Sequence, residues 1–140
     1  MTTIAYKNGI LAGDRRVTSG SMIEGQTTKI WKAHGRLFGV AGDPQIITIL
    51  SKWSQKGNMN ELPELPETNW EWICVSRRNL FLACVEQPEG LVMDLNPFAI
   101  GSGAAHARTA MHLGKSSKEA VRVASLFDTS TGPEVDTVRI

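Results

Sequence analysis

Residues 2–20, TTIAYKNGILAGDRRVTSG, place two apolar runs on either side of Asn8-Gly9. Both residues of an Asn-Gly pair tolerate positive φ, so the pair closes a two-residue loop and the flanking runs become antiparallel strands. With Lys7 opposite Ile10, counting outward sets Thr3 opposite Asp14. The hairpin returns a carboxylate to the start of the chain. Met1 precedes Thr2, and its removal would leave one residue bearing both a hydroxyl and a free α-amine. Such a residue is a nucleophile that carries its own base.

Working outward, TTKIWK (27–32) and RLFGVAG (36–42) predict a second hairpin about the turn AHG. Asp43 has the chemistry of an N-cap and Pro44 that of a first helical residue, and Ile46, Ile47, Ile49, Leu50 and Trp53 share one helical stripe. Gly57 is the expected stop. NELPELPET (60–68) is a connector too short to separate two domains. WEWICVS, LFLACVE and LVMDL then predict three strands, with turns at RRN (77–79) and QPEG (87–90) and with Trp70 and Trp72 on one face.

FAIGSGAAHARTAMHLG (98–114) predicts a strand, a Gly-rich turn and an alanine-rich helix. SSKEAVRVASLFD predicts another helix, opened by Ser116 and Glu119 at capping-box spacing, and EVDTVRI a closing strand. Antiparallel hairpins with helices inserted in two blocks point to an α+β layered protein, a single domain over residues 1–140, with helices outside a pair of sheets.

Composition excludes several function classes. A net charge of +1 lacks the basic excess with which a nucleic-acid binder neutralises phosphates. No apolar run reaches a membrane-spanning length of about 18 residues, and the N-terminus has no basic-then-apolar leader. A soluble, cytoplasmic protein is expected. Cys74 and Cys84 lie in apolar runs and read as buried free thiols, a cross-strand disulfide being the alternative. His34, His106 and His112 are scattered, so neither a metal site nor a cofactor is expected. AIGSGAA lacks the Lys-Ser/Thr of a P-loop and the third glycine of a dinucleotide site, and Ser102 is not in a G-x-S-x-G elbow.

Chemistry therefore concentrates at the N-terminus. A threonine hydroxyl is a poor nucleophile at neutral pH, and an α-amine, whose ordinary pKa is roughly 7.7–8.0, can take its proton directly or through a water. A nearby lysine favours the neutral amine by like-charge repulsion, and a carboxylate holds that lysine in place. Asp14 and Lys29 are the available pair.

Thr2, AGDRRVTSG (12–20) and TKI (28–30), followed by LFGVAG (37–42), AIGSGAAHA (99–107) and DTSTG (128–132), together resemble the proteasome β-type and HslV threonine peptidase subunits. That resemblance implies the four-layer αββα fold of N-terminal-nucleophile hydrolases, smaller than typical. It implies Thr2 as nucleophile, Lys29 as the lysine tuning its amine, Asp14 as that lysine's partner and Gly39 as the oxyanion donor. Ser102, Asp128 and Thr131 match supporting polar positions, and Thr18, Leu37 and Ala41 match substrate-binding ones. It further implies a homo-oligomeric ring acting on unfolded protein or peptide, with an ATP-dependent unfoldase as a possible partner. The chain departs from the pattern between LFGVAG and WEWICVS, where one helix and a Pro-rich connector replace a helical hairpin. A catalytically silent assembly subunit and an amidase acting on a small amide are the other readings.

Overall fold

The computed structural model describes residues 2–94 and 96–140. Its strands are β1 (Thr3–Lys7), β2 (Ile10–Asp14), β3 (Arg16–Ser19), β4 (Met22–Gln26), β5 (Ile30–Ala33), β6 (Arg36–Gly42), β7 (Trp70–Val75), β8 (Leu80–Cys84), β9 (Gln87–Met93), β10 (Phe98–Gly101) and β11 (Val135–Arg139). The helices are α1 (Gln45–Gln55), α2 (Ala104–His112) and α3 (Ser117–Ser125). Met1, and Leu95 at the end of the strand expected at 91–95, lie outside the described residues.

Every ladder is antiparallel, in a four-stranded sheet β10-β1-β2-β11, a five-stranded sheet β5-β6-β7-β8-β9 and a ribbon β3-β4. Alternation of side chains then builds three apolar layers. Ile4, Leu11, Ile30, Leu37, Ile73 and Ile100 fill the space between the two large sheets. Phe38, Val40, Trp70 and Trp72, on the opposite face of the five-stranded sheet, meet Ile46 and Leu50 of α1. Ala5, Ala12 and Ala99, outside the four-stranded sheet, meet Ala107, Met111, Ala120 and Val121 of α2 and α3. The layers run αββα, as the resemblance implied.

The first hairpin has the expected register, Lys7 opposite Ile10 and Ile4 opposite Gly13. The capping box is present, with Ser116 Oγ accepting from the Glu119 N–H and Glu119 accepting from the Ser116 N–H. Trp70 and Trp72 do share the α1 face. Helix α1 begins at Gln45, one residue later than expected, although Asp43 Oδ1 still accepts the Gln45 N–H at 2.9 Å.

Two expectations are corrected. The ribbon β3-β4 was not anticipated, because its exposed second strand carries no buried face and so no alternation to read. QPEG, expected as a turn, is the start of β9, and Val85 and Glu86 make the turn instead. Of the two readings for the cysteines, the free thiols hold, Cys74 buried opposite Phe81 and Cys84 half-buried opposite Glu71. Burial pushes the Cys74 thiol up to about 12, so it stays protonated and unreactive.

Residues 56–69 do the work of a second helix without forming one. Met59 and Leu65 pack on the α1-facing layer, and Trp53 Nε1 and Trp70 Nε1 donate to the carbonyls of Glu61 and Pro66 at 2.9 and 2.8 Å. Two indoles pin an irregular segment across the sheet. None of the helices described is long and apolar enough to cross a membrane.

Candidate active site

Thr2 immediately precedes β1, Asp14 ends β2 and Lys29 immediately precedes β5, so three strand ends meet at one edge of the sandwich. Burial at this edge is close to complete: Thr2 is 1 % exposed, Asp14 0 % and Lys29 5 %. Three polar residues placed this deep must satisfy one another. Thr2 Oγ1 donates to Asp14 Oδ1 and accepts from Lys29 Nζ. Lys29 Nζ also donates to Asp14 Oδ1 at 3.1 Å and to the Arg16 carbonyl at 2.6 Å, which occupies all three ammonium protons.

Asp14 is the hub. Besides Thr2 and Lys29, it accepts the N–H groups of Thr3 and Arg16 at 3.1 Å each and of Gly132 at 2.9 Å. Three backbone donors fix the carboxylate where the hairpin register delivers it. Burial lowers the Lys29 pKa from its ordinary value, and the Asp14 charge opposes that fall. The pair thus holds a desolvated ammonium directly against the hydroxyl of Thr2.

A second network supports the main chain of residues 2 and 3. Asp128 Oδ2 accepts from Ser102 Oγ and from Thr131 Oγ1, both at 2.6 Å. Because Thr131 has one proton and gives it to Asp128, the 2.7 Å contact between Thr3 Oγ1 and Thr131 Oγ1 is donated by Thr3. Burial alone would raise the Asp128 pKa, but hydrogen bonds from Ser102, Thr131 and the Ser130 N–H overcome it and hold the carboxyl below its ordinary range. Ser102 Oγ and the Gly103 N–H each lie 3.5 Å from the Thr2 carbonyl.

A cleft opens beside Thr2, lined among others by Thr18, Lys29, Val40, Gly42 and Ile47. Of the substrate positions expected from the resemblance, Thr18 lies there. Leu37, Gly39 and Ala41 do not. Leu37 and Ala41 belong to the layer between the sheets, and a Cβ on Gly39 would stand 2.7 Å from Ile4 in that same layer. The correction is one of parity, since odd positions of β6 face inward and even ones, Val40 and Gly42, face α1 and the cleft.

The same alternation sets which backbone N–H groups of β6 face the cleft. Val40 gives its N–H to the Lys29 carbonyl on the β5 side, and Asp43 gives its own to Asn69 on the β7 side. Alternation turns the Gly39 N–H toward β7, where Ile73 is its partner, and the Gly42 N–H away from β7 toward the cleft. Gly42 is also the residue that must be glycine. Its φ is +107°, and a Cβ there would sit 2.3 Å from the Asn69 carbonyl oxygen. If the Gly42 N–H receives an oxyanion, Gly42→Ala, which keeps the N–H but neither this φ nor the clearance from Asn69, is expected to displace the donor and lower kcat by about 10²–10³-fold, and to lower the melting temperature. Peptide-hydrolysis kinetics measured below the melting point check this, and unchanged kcat would return the role to another group.

Sequence reasoning found Thr2, Asp14, Lys29, Ser102, Asp128, Thr131 and Thr18 at this edge. It missed Gly42, the Arg16 carbonyl and the Gly132 N–H. Backbone groups leave no residue-type signal, but Gly42 and Gly132 are the last residues of motifs already singled out, LFGVAG and DTSTG.

No family model matches the sequence, and no curated protein is matched by it. Solved structures do match by fold. BPH of Thiobacillus denitrificans in complex with epoxomicin superposes with a TM-score of 0.73 at 17 % identity, over 99 % of this chain and 97 % of that one. The same protein alone gives 0.73 at 17 %, over 99 % and 96 %. Eukaryotic HslV from Trypanosoma brucei gives 0.75 at 18 %, over 98 % and 97 %. Superposition covers almost the full length of each partner, and the chain shares the fold of these HslV and BPH proteins.

Proposed function

We propose that the protein is a threonine-type endopeptidase whose nucleophile is Thr2 after loss of Met1. The observation that carries this reading is the position of Thr2 Oγ1, buried between Asp14 and Lys29 and bordering the cleft onto which Gly42 turns its N–H. Thr2 Oγ adds to the scissile carbonyl while its proton passes to the α-amine, directly or through a water. The Lys29 ammonium stabilises negative charge as it develops on Oγ and disfavours protonation of the amine. The Gly42 N–H receives the oxyanion. The protonated amine then hands its proton to the leaving amine, and water hydrolyses the ester on Thr2 with the same amine as base.

Substrate would lie extended beside β3 and β6, with Thr18 on one side and Gly42 on the other, pairing by main-chain hydrogen bonds. Val40 and Ile47 give the adjoining wall an apolar lining. The enzyme would act as a homo-oligomeric ring working on unfolded polypeptide, a reading that the shared fold with HslV and BPH supports. An ATP-dependent unfoldase would be its partner, and the cytoplasm its location.

The test is the intact mass of the purified assembly before and after treatment with epoxomicin, the ligand in one BPH structure. An epoxyketone offers a ketone and an epoxide carbon, which a vicinal hydroxyl and amine can engage together. A chain lacking Met1 that gains one inhibitor mass is the expected result. Met1 retained with no adduct would overturn the proposal in favour of a silent assembly subunit.

A further inference from the structure

Strand β7 reads WEWICV, and Glu71 is its only charged residue. Trp70, Trp72 and Cys74 face α1, so Glu71 shares the opposite face with Ile73 and Val75, toward the four-stranded sheet. A carboxylate aimed between two sheets loses hydration that an aliphatic side chain would not miss. Among the described residues, Glu71 has no ion-pair partner. Its single hydrogen bond is from the Gly101 N–H to Oε1, at 2.7 Å.

That N–H has a particular place in the fold. β10 is the edge strand of its sheet, with β1 as its one neighbour, and the bond to Glu71 shows that the Gly101 N–H points away from β1. Gly101 also lies opposite Thr3 in the ladder and carries φ +98°, so close to Thr2 that a Cβ would stand 1.8 Å from the Thr2 carbonyl oxygen. The next two residues supply the Ser102 hydroxyl and the Gly103 N–H that face the same oxygen. Whatever fixes Gly101 therefore fixes the main chain of Thr2.

We infer that Glu71 is a positioning residue for Thr2: it clamps the Gly101–Gly103 turn from the opposite sheet and so sets the orientation of the nucleophile's backbone and amine. The inference rests on the peptidase reading above, and it makes Glu71 act through Gly101, without contact to substrate. It also explains why an inward carboxylate is kept where a leucine would pack.

The test compares Glu71→Gln, which retains an acceptor oxygen for Gly101, with Glu71→Leu, which fills the space without one. The readouts are the rate of epoxomicin adduct formation, the melting temperature, and the amide shifts of Thr3, opposite Gly101 in the ladder, and of Gly103 by NMR. Expected are a near wild-type rate for Glu71→Gln and a roughly tenfold slower one for Glu71→Leu, in line with the cost of small misplacements of a nucleophile. The melting temperature of Glu71→Leu should be unchanged or raised, since the leucine joins the apolar layer of Ile73 and Val75 in exchange for one hydrogen bond. A merely structural role would move rate and melting temperature down together. Glu71→Leu reacting at the wild-type rate overturns the inference and leaves the peptidase reading standing. A wild type that forms no adduct overturns that reading instead. The clamp is then decided by the NMR shifts, which must move at Thr3 and Gly103 in Glu71→Leu and stay in Glu71→Gln if the inference is right.

Discussion

Thr2→Ala is expected to lower peptide hydrolysis by about 10⁵-fold or more, the scale on which removal of an activated nucleophile acts, and to abolish the epoxomicin adduct while leaving the assembly folded. The two halves of this expectation come from the same geometry. Removing Oγ1 takes one acceptor from Lys29 and one donor from Asp14, but their own contact at 3.1 Å and the three backbone bonds to Asp14 survive. Stability should therefore change by only about 1 kcal/mol, the worth of an ordinary hydrogen bond. A nucleophile that costs little to delete from the fold but everything to delete from the chemistry is the signature sought. Thr2→Ser, which keeps both the hydroxyl and the amine, should retain measurable turnover. Peptide kinetics on melting-matched samples give the answer, and hydrolysis surviving in Thr2→Ala would assign the chemistry to another residue.

Much of this edge was legible because strand pairing is arithmetic. Asn8-Gly9 fixed the hairpin register, and the register carried Asp14 to within reach of Thr3, whose N–H it accepts. Lys29 was legible as the one lysine at the head of a strand near that carboxylate. The parity of β6 was harder to read. All the residues of LFGVAG are buried or nearly so, so the strand is apolar on both faces and its sequence does not say which positions face the cleft. Leu37, Gly39 and Ala41 were placed there by resemblance, and the ladder with β7 puts Val40 and Gly42 on the cleft side instead. Glu71 was hidden for the opposite reason. A glutamate between two tryptophans reads as an outward residue in an alternating strand, and only the ladder shows the tryptophans turned outward against α1 and the glutamate inward.

Asp14→Ala should be the most damaging single change to stability, by about 3–5 kcal/mol, the usual cost of stranding one member of a buried ion pair. Lys29 would keep its burial and lose its counter-charge, and the N–H groups of Thr3, Arg16 and Gly132 would lose their acceptor together. The pH dependence of that loss identifies its cause. Burial already lowers the Lys29 pKa in the native protein against the pull of Asp14; without Asp14 it falls further. Between the lowered native value and the ordinary unfolded one, the unfolded chain binds more protons, so stability rises with pH across that window. The window reaches lower pH in Asp14→Ala than in the wild type, and the deficit of the variant should therefore shrink as pH is raised from 7 toward 10. Urea unfolding at both pH values measures it, and a pH-independent deficit would mean that the backbone donors dominate over the stranded ammonium. Pairing Asp14→Leu with Lys29→Met removes both charges at once. That double variant should recover the part of the loss that comes from the stranded ammonium, while the N–H groups of Thr3, Arg16 and Gly132 stay without their acceptor, and on the peptidase reading it should have no hydrolytic activity.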